Sequence, residues 1–444
     1  MKLGVFARFA AATMAVCLVF GSAGSASAAS LRSELAGLLL DHPQIRGANK
    51  TLEAASKEVG KANANFYPTV SVTAEAGHEL IDSPAVRTSY ADNDGKISSR
   101  SPQTANITVT QNLFNGFLTH SQVRTARLNK NISTISLEST KQNTLFAGIT
   151  AYINVLRQRR LVELSTENEA TIQRQLNLED ERVQRGSGVA VDVLQAKSRL
   201  QVAKERRVNF EGDYQNAVSA YATMFNHLPD VDSMMDPVPP IERIPSTLDR
   251  AIEISTTGNP LINNANVSVE VAREKRQAVL AELAPTVDME GQFNYEKHSN
   301  TTLGTRRDYA VLLRASWDLF SGFSTRDSLS QINYEYRALQ DTREDTSRRI
   351  IEQTRVAWQA LLTARARLEL LENAVNIASE VFASRKRLRE AGKETVINVL
   401  DAENEVSNAQ INYTSASYDE RLAIFQLLLS MGKLDAKNLA VNVP

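Results

Sequence analysis

The chain repeats itself, and this limits the folds open to it more than any other feature. His42-Pro43-Gln44-Ile45 is echoed by Asn259-Pro260-Leu261-Ile262, and Ala48-Asn49 by Ala265-Asn266. Pro68-Thr69-Val70 returns as Pro285-Thr286-Val287, at the same separation of 217 residues (43 to 260). Leu113-Phe114-Asn115-Gly116-Phe117 returns as Leu319-Phe320-Ser321-Gly322-Phe323, now 206 residues apart (113 to 319). That spacing persists through Ala151/Ala357, Gly186/Gly392, Val193-Leu194/Val399-Leu400 and Ala196/Ala402. A long match without net insertion means two copies of one structural plan. The drop from 217 to 206 places eleven extra residues between Val70 and Leu113; the polar segment Ser83 to Gln103, with Pro84 and Pro102, reads as the surface loop that holds them. Residues 29–226 form the first repeat, 227–258 a linker, 259–432 the second repeat and 433–444 a tail.

Each half has the same internal order: a helix (roughly 46–64 and 263–283), two strands joined by a polar loop, a very long helix and a returning helix. The strands are read from alternation. From Thr286 to Glu296 the odd positions are apolar or small and the even ones polar, and Tyr309, Val311, Leu313, Ala315, Trp317 and Leu319 share one face of the partner. Val70 to Ala76 and Ile107 to Thr110 alternate likewise. Aromatics gather at the strand ends: Phe66, Tyr67, Phe114, Phe117, Trp317, Phe320 and Phe323. The pattern fits amphipathic hairpins on a soluble core, and it also fits membrane-barrel strands with an oily outside and a polar lumen.

The long helices follow from missing breakers. No proline lies between Pro102 and Pro229 or between Pro285 and Pro444, and residues 323–391 contain no glycine. A helix of that length spans roughly 100 Å. Ile350, Ile351, Val356, Leu361, Leu362, Leu368 and Leu371 recur at threes and fours among charges, as in coiled-coil packing. The fold class is α+β, mostly long helices, internally duplicated.

The first 28 residues read as a secretory signal peptide: Lys2 and Arg8, an apolar run from Phe9 to Phe20, and Ala26-Ser27-Ala28 as an A-x-A cleavage pattern. The run is too short for a spanning helix, which needs about 20 apolar residues. The single cysteine, Cys17, lies inside the apolar run with Val16 before it, so a lipid-attachment site is not expected. A mature chain without cysteine relies on packing or assembly instead of disulfides. With 50 Lys+Arg against 51 Asp+Glu, bulk charge gives no argument for nucleic acid.

Nothing in the sequence assembles chemistry. His42, His78, His120, His227 and His298 are scattered, no H-E-x-x-H, P-loop or nucleophile elbow occurs, and no metal or cofactor is expected. If the strands span a membrane, four cannot close a barrel, because the smallest have about eight. Open edges in lipid leave backbone groups unsatisfied, so several chains would share one barrel, as cyclic homo-oligomers do. A periplasmic adaptor or structural helical-hairpin protein is the competing reading, but such a chain has one hairpin and not two equivalent halves with strand pairs.

The repeated Leu-Phe-x-Gly-Phe, the duplicated halves and the segment from Ala391 to Ala402 together resemble the TolC family of outer-membrane channels, over essentially the whole mature chain. The resemblance implies a homotrimer in the outer membrane of a Gram-negative bacterium. It would have a shared twelve-stranded β-barrel, a periplasmic coiled-coil α-barrel and an equatorial region made from residues 227–258 and both termini. It implies a periplasmic adaptor and an inner-membrane pump as partners, and drugs, detergents, bile salts or secreted proteins as cargo. The turns at Gly186 and Gly392 would be the periplasmic tips where adaptors dock. Two aspartates three residues apart ring the entrance in this family, and here they map to Asn398 and Asp401. The ring would carry −3 per trimer where two aspartates give −6, weakening its hold on divalent cations. Asp192, the counterpart of Asn398, and Arg389 are the candidate lock residues, with Glu394 where a basic link residue is often found.

Overall fold

The computed structural model describes residues 31–84, 97–186, 188–299 and 304–441. The signal peptide with Cys17, and much of the expected loop, lie outside them. The first half runs through helices α1 (Leu31–Asp41) and α2 (Pro43–Ala64) and strands β1 (Thr69–Ala76), β2 (Glu79–Ile81), β3 (Ser98–Arg100) and β4 (Gln103–Asn115). It continues into α3 (Leu118–Gln184) and α4 (Ala190–Phe225). The second half comprises α5 (Leu248–Gly258), α6 (Pro260–Ala281), β5 (Thr286–Lys297), β6 (Thr305–Ser316), α7 (Ser324–Glu390) and α8 (Val396–Ser430).

The duplication governs helix boundaries. The two long helices have 67 residues each and start 206 apart (118 to 324). Helices α2 and α6 have 22 each and start 217 apart (43 to 260). Both begin three residues before the sequence reading places them, because proline is compatible with the first helical position, where its missing N–H costs no bond. His42 Nδ1 accepts from the Gln44 amide at 3.3 Å, and Asn259 Oδ1 from the Leu261 amide at 2.9 Å. The same 217 offset relates α1 and α5, 11 residues each (31 to 248). Residues 248–258, read from sequence as linker, therefore stand where α1 stands in the first half. Their sequences, LRSELAGLLLD and LDRAIEISTTG, share almost nothing, so only the backbone reveals the pairing.

The repeated Leu-Phe-x-Gly-Phe motif turns each half from strand into long helix. Gly116 and Phe117 have φ of 63° and 67°, and Gly322 and Phe323 have 64° and 68°. Two consecutive left-handed residues reverse the chain, and a phenylalanine there is uncommon enough to need holding. Phe117 stacks edge-on against Phe114 at 5.8 Å, and Phe323 against Phe320 at 5.4 Å. The Trp317 indole N–H donates to the Leu283 carbonyl at 3.1 Å. Trp317 and Leu319, expected on the last strand, fall beyond Ser316 in this junction.

The four long strands form one antiparallel sheet in the order β1-β4-β5-β6, so β4 and β5 join the halves. Its register puts Val70, Val109, Gly291 and Val311 in one row and Val72, Ile107, Phe293 and Tyr309 in the next, on a single face. Ser71, Thr108, Gln292, Asn106, Asn294 and Asp308 occupy the other. The oily face is uncovered: Val311 is 79% and Val72 66% exposed. Among the described residues β1 and β6 are outer strands with one unpaired edge each.

The main core sits midway along the long helices. Leu145, Ile149, Tyr152 and Ile153 of α3 pack with Ala357 and Leu361 of α7 and with Ile424, Phe425 and Leu428 of α8. Leu35 of α1, Met234, Ala251, and Leu434, Leu439 and Val441 beyond α8 complete it. Polar ties hold the irregular segment against this core. The Tyr152 hydroxyl donates to the Met235 carbonyl at 2.9 Å and accepts from its amide at 3.1 Å. Asp236 accepts from Tyr418 at 3.0 Å and Arg421 at 2.8 Å. Burial, then the Asp236 charge, push the Tyr418 hydroxyl up to about 12.

The two junction glycines differ in their surroundings. A Cβ on Gly116 would lie 2.7 Å from the Ala281 carbonyl and from Ala284 Cβ, whereas one on Gly322 meets nothing within 4 Å. Gly322→Ala is expected to carry only the left-handed penalty of about 1–2 kcal/mol. Gly116→Ala should lose a further 1–3 kcal/mol or so through overpacking. Thermal melts of both variants should show the larger drop at Gly116; equal drops would contradict this account.

Candidate gate at the helical tips

Each long helix ends in a left-handed glycine. The Gly186 amide donates to Val183 O at 2.9 Å with φ of 75°, and the Gly392 amide to Arg389 O at 3.0 Å with φ of 71°. Glycine carries no Cβ penalty there, and such a residue closes off the last helical carbonyls. The chain returns through α4 and α8, whose first residues are 206 apart (190 to 396). A second, smaller core fixes the returning helices: Ile172 and Leu176 of α3, Val193, Ala196, Leu200 and Ala203 of α4, and Val396 and Leu400 of α8. The Thr395 hydroxyl caps α8 by accepting from the Asn398 amide at 3.3 Å, and Val189 before α4 has no such group.

The expected site residues divide into separate contacts. The Asn398 side-chain amide turns back to the Glu394 carboxylate, which also accepts from the Thr395 amide at 3.0 Å. These bonds, Asn398's foremost, hold the Glu394 carboxyl below its usual range. Asp401, three residues on, accepts from Arg199 of α4 at 2.7 Å, with both side chains about half exposed. Asp192 stands in the first turn of α4. Arg389 does not meet it: its guanidinium donates to Glu179 of α3 at 2.8 Å and to the Glu394 carbonyl at 3.1 Å. Within the chain the two candidate lock residues, Asp192 and Arg389, therefore lie in different contacts. Arg389 closes the tip of α7 onto α3.

Glu179, Arg182, Arg199 and Glu403 escaped the sequence reading. The Glu179 side chain is 3% exposed and takes both Arg389 and Arg182, the latter at 2.8 Å. A buried carboxylate needs such pairing to offset its desolvation. Its signal was its register: Ile172, Leu176 and Glu179 follow one buried stripe, with a charge where an apolar residue belongs. Glu403 is also buried, on α8, and burial followed by the nearby Glu167 charge pushes its carboxyl up; Arg174, Asn168 and Lys386 oppose that shift. Among the described residues no group of His, Cys, Asp and Glu is placed to hold a metal, and no helix is long and apolar enough to cross a membrane.

Comparisons with known proteins agree with this geometry. A sequence profile of the outer membrane efflux protein family matches residues 35–227 and 252–433. The matched segments start 217 residues apart (35 to 252) and end 206 apart (227 to 433), the two offsets of the internal repeat. The outer membrane efflux protein BepC of Brucella suis is 24% identical, with 92% of this chain and 91% of the relative covered. The outer membrane protein TolC of Vibrio cholerae is 22% identical over 89% of each chain. The crystal structure of the outer membrane protein VceC from Vibrio cholerae superposes with a TM-score of 0.76 at 16% identity, covering 90% of this chain and 96% of that one. The chain therefore belongs to the outer membrane efflux protein family, as a TolC-like outer-membrane channel component and not an enzyme.

Proposed function

We propose that three copies of this chain close one twelve-stranded barrel in the outer membrane, continued by a periplasmic helical tube, as the export duct of a tripartite efflux system. The observation that carries this reading is the sheet: one uncovered oily face, one polar face and two unpaired outer strands. In lipid such edges must be paired, and neighbouring copies supply the partners. Exposed apolar residues on α7, among them Val356, Leu370 and Ile377, give the helical wall a further surface for a neighbouring copy. Phe117, Trp317, Phe320 and Phe323 mark the interfacial belt between barrel and tube. The chain would be secreted with cleavage behind Ala28 and without lipid.

A periplasmic adaptor would dock at the tips around Gly186 and Gly392, and an inner-membrane pump would supply the energy. Asn398, Asp401, Asp192 and Arg389 line or brace the constricted entrance in this reading. Small toxic compounds are the proposed cargo. Deleting the gene should lower resistance to drugs and bile salts; an unchanged resistance with a depleted secreted proteome would redirect the duct to protein secretion.

Two measurements test the assembly and the gate. Unheated gels of the outer-membrane fraction should show a species of trimer size that collapses to monomer on boiling; a soluble monomer would refute the barrel. In planar bilayers Asp401→Ala should raise single-channel conductance by about twofold or more, because the Arg199–Asp401 contact across the proposed constriction is lost. Conductance equal to that of the unmodified protein would remove Asp401 from the gate.

A further inference from the structure

The contact between α4 and α8 has a regular form that neither half has alone. Arg199 donates to Asp401 at 2.7 Å, and Arg206 donates to Asn408 at 2.8 Å. The two arginines are seven residues apart on α4, and their partners are seven apart on α8 (401 to 408). Seven residues are two helical turns, a rise of about 10.5 Å, so both rungs lie on one stripe of each helix. The first rung pairs opposite charges and the second pairs a cation with a neutral amide. A small cleft of about 260 Å³, lined by Gln195, Ser198, Arg199, Ile397 and Leu400, opens beside the first rung.

We propose that Arg199 is a built-in counter-ion of Asp401 that withholds the constriction from divalent cations. The inference rests on the gate reading of Asp401 and adds what regulates it. A tethered guanidinium 2.7 Å from the carboxylate is present at high local concentration, so a dissolved ion must displace it before it can bind. A guanidinium is a planar cation whose fork of N–H donors matches a carboxylate, so it holds Asp401 by hydrogen bonds as well as by charge. Half exposure of both partners and the adjoining cleft keep the pair accessible to ions, making this a competition and not a sealed bridge. The Arg206–Asn408 rung repeats the helix contact two turns away with no carboxylate, so it offers a dissolved cation nothing to bind. An acidic ring expected to carry −3 per trimer is, on this account, neutral at the level of Asp401.

The test is block of the full-length channel by magnesium ions in planar bilayers, after unheated gels confirm assembly of each variant. The unmodified channel should be blocked weakly. Arg199→Gln should lower the half-blocking magnesium concentration by about tenfold or more, since three carboxylates are then unmasked. Arg199→Lys, which retains the charge, should restore most of the resistance, and Arg206→Gln should leave block within about twofold of the unmodified channel. Adding Asp401→Asn to Arg199→Gln should abolish the gained sensitivity. Block unchanged in Arg199→Gln, or gained block that survives Asp401→Asn, overturns the counter-ion. If Asp401→Ala alters conductance in the same recordings, the gate reading stands when the counter-ion falls; if it does not, both fall.

Discussion

Along β1, β4, β5 and β6 side chains alternate between oil and water, so Val70, Val72, Ile107, Val109, Val311 and Leu313 collect on one side of a single sheet. Nothing among the described residues covers that side, and burying such residues is worth about 1.5–3 kcal/mol each. The sheet therefore looks outward for lipid and sideways for more strands. The helices inherit this condition. They leave the sheet through paired left-handed turns, and α7 keeps an apolar stripe uncovered along its length.

The chain ties its two halves together at three levels, each by a different kind of interaction. At the sheet β4 and β5 share a backbone ladder. Midway, an apolar core takes residues from both long helices. Toward the tips a smaller apolar core is joined by polar links between the halves: Glu179 with Arg389, Arg199 with Asp401, Arg206 with Asn408. Half-exposed pairs such as Arg199–Asp401 are worth at most about 1 kcal/mol each and respond to salt. Backbone ladders and packed cores do not yield so readily. Of the contacts at the end where the gate is proposed, the half-exposed Arg199–Asp401 pair is the one most easily rearranged, beside a packed core and a buried Glu179–Arg389 pair.

Much of this architecture was legible in the sequence because duplication and periodicity are local properties. The constant offsets located both long helices, and alternation identified the faces of the sheet before any register was known. The extent of α1 and α5 was hidden, since helices of unrelated sequence can occupy equivalent positions when each ends before a proline. The tip contacts were hidden for another reason. A charged residue on a long helix has many solvent-facing destinies, and which helix faces Arg199 or Arg389 is decided by packing far away in sequence. Asp401 was found by its place in a motif, but its partner lies 202 residues away (199 to 401). Glu179 alone carried a readable sign, a carboxylate within an apolar stripe.

The central core draws on Leu35 near one end of the described chain and on Leu434, Leu439 and Val441 near the other. No contiguous fragment can complete it. Both ends of the described chain must therefore be in place before Tyr152, Ile424 and Phe425 have their full apolar cover, so a truncation at either end weakens the middle of the molecule and not only its margin.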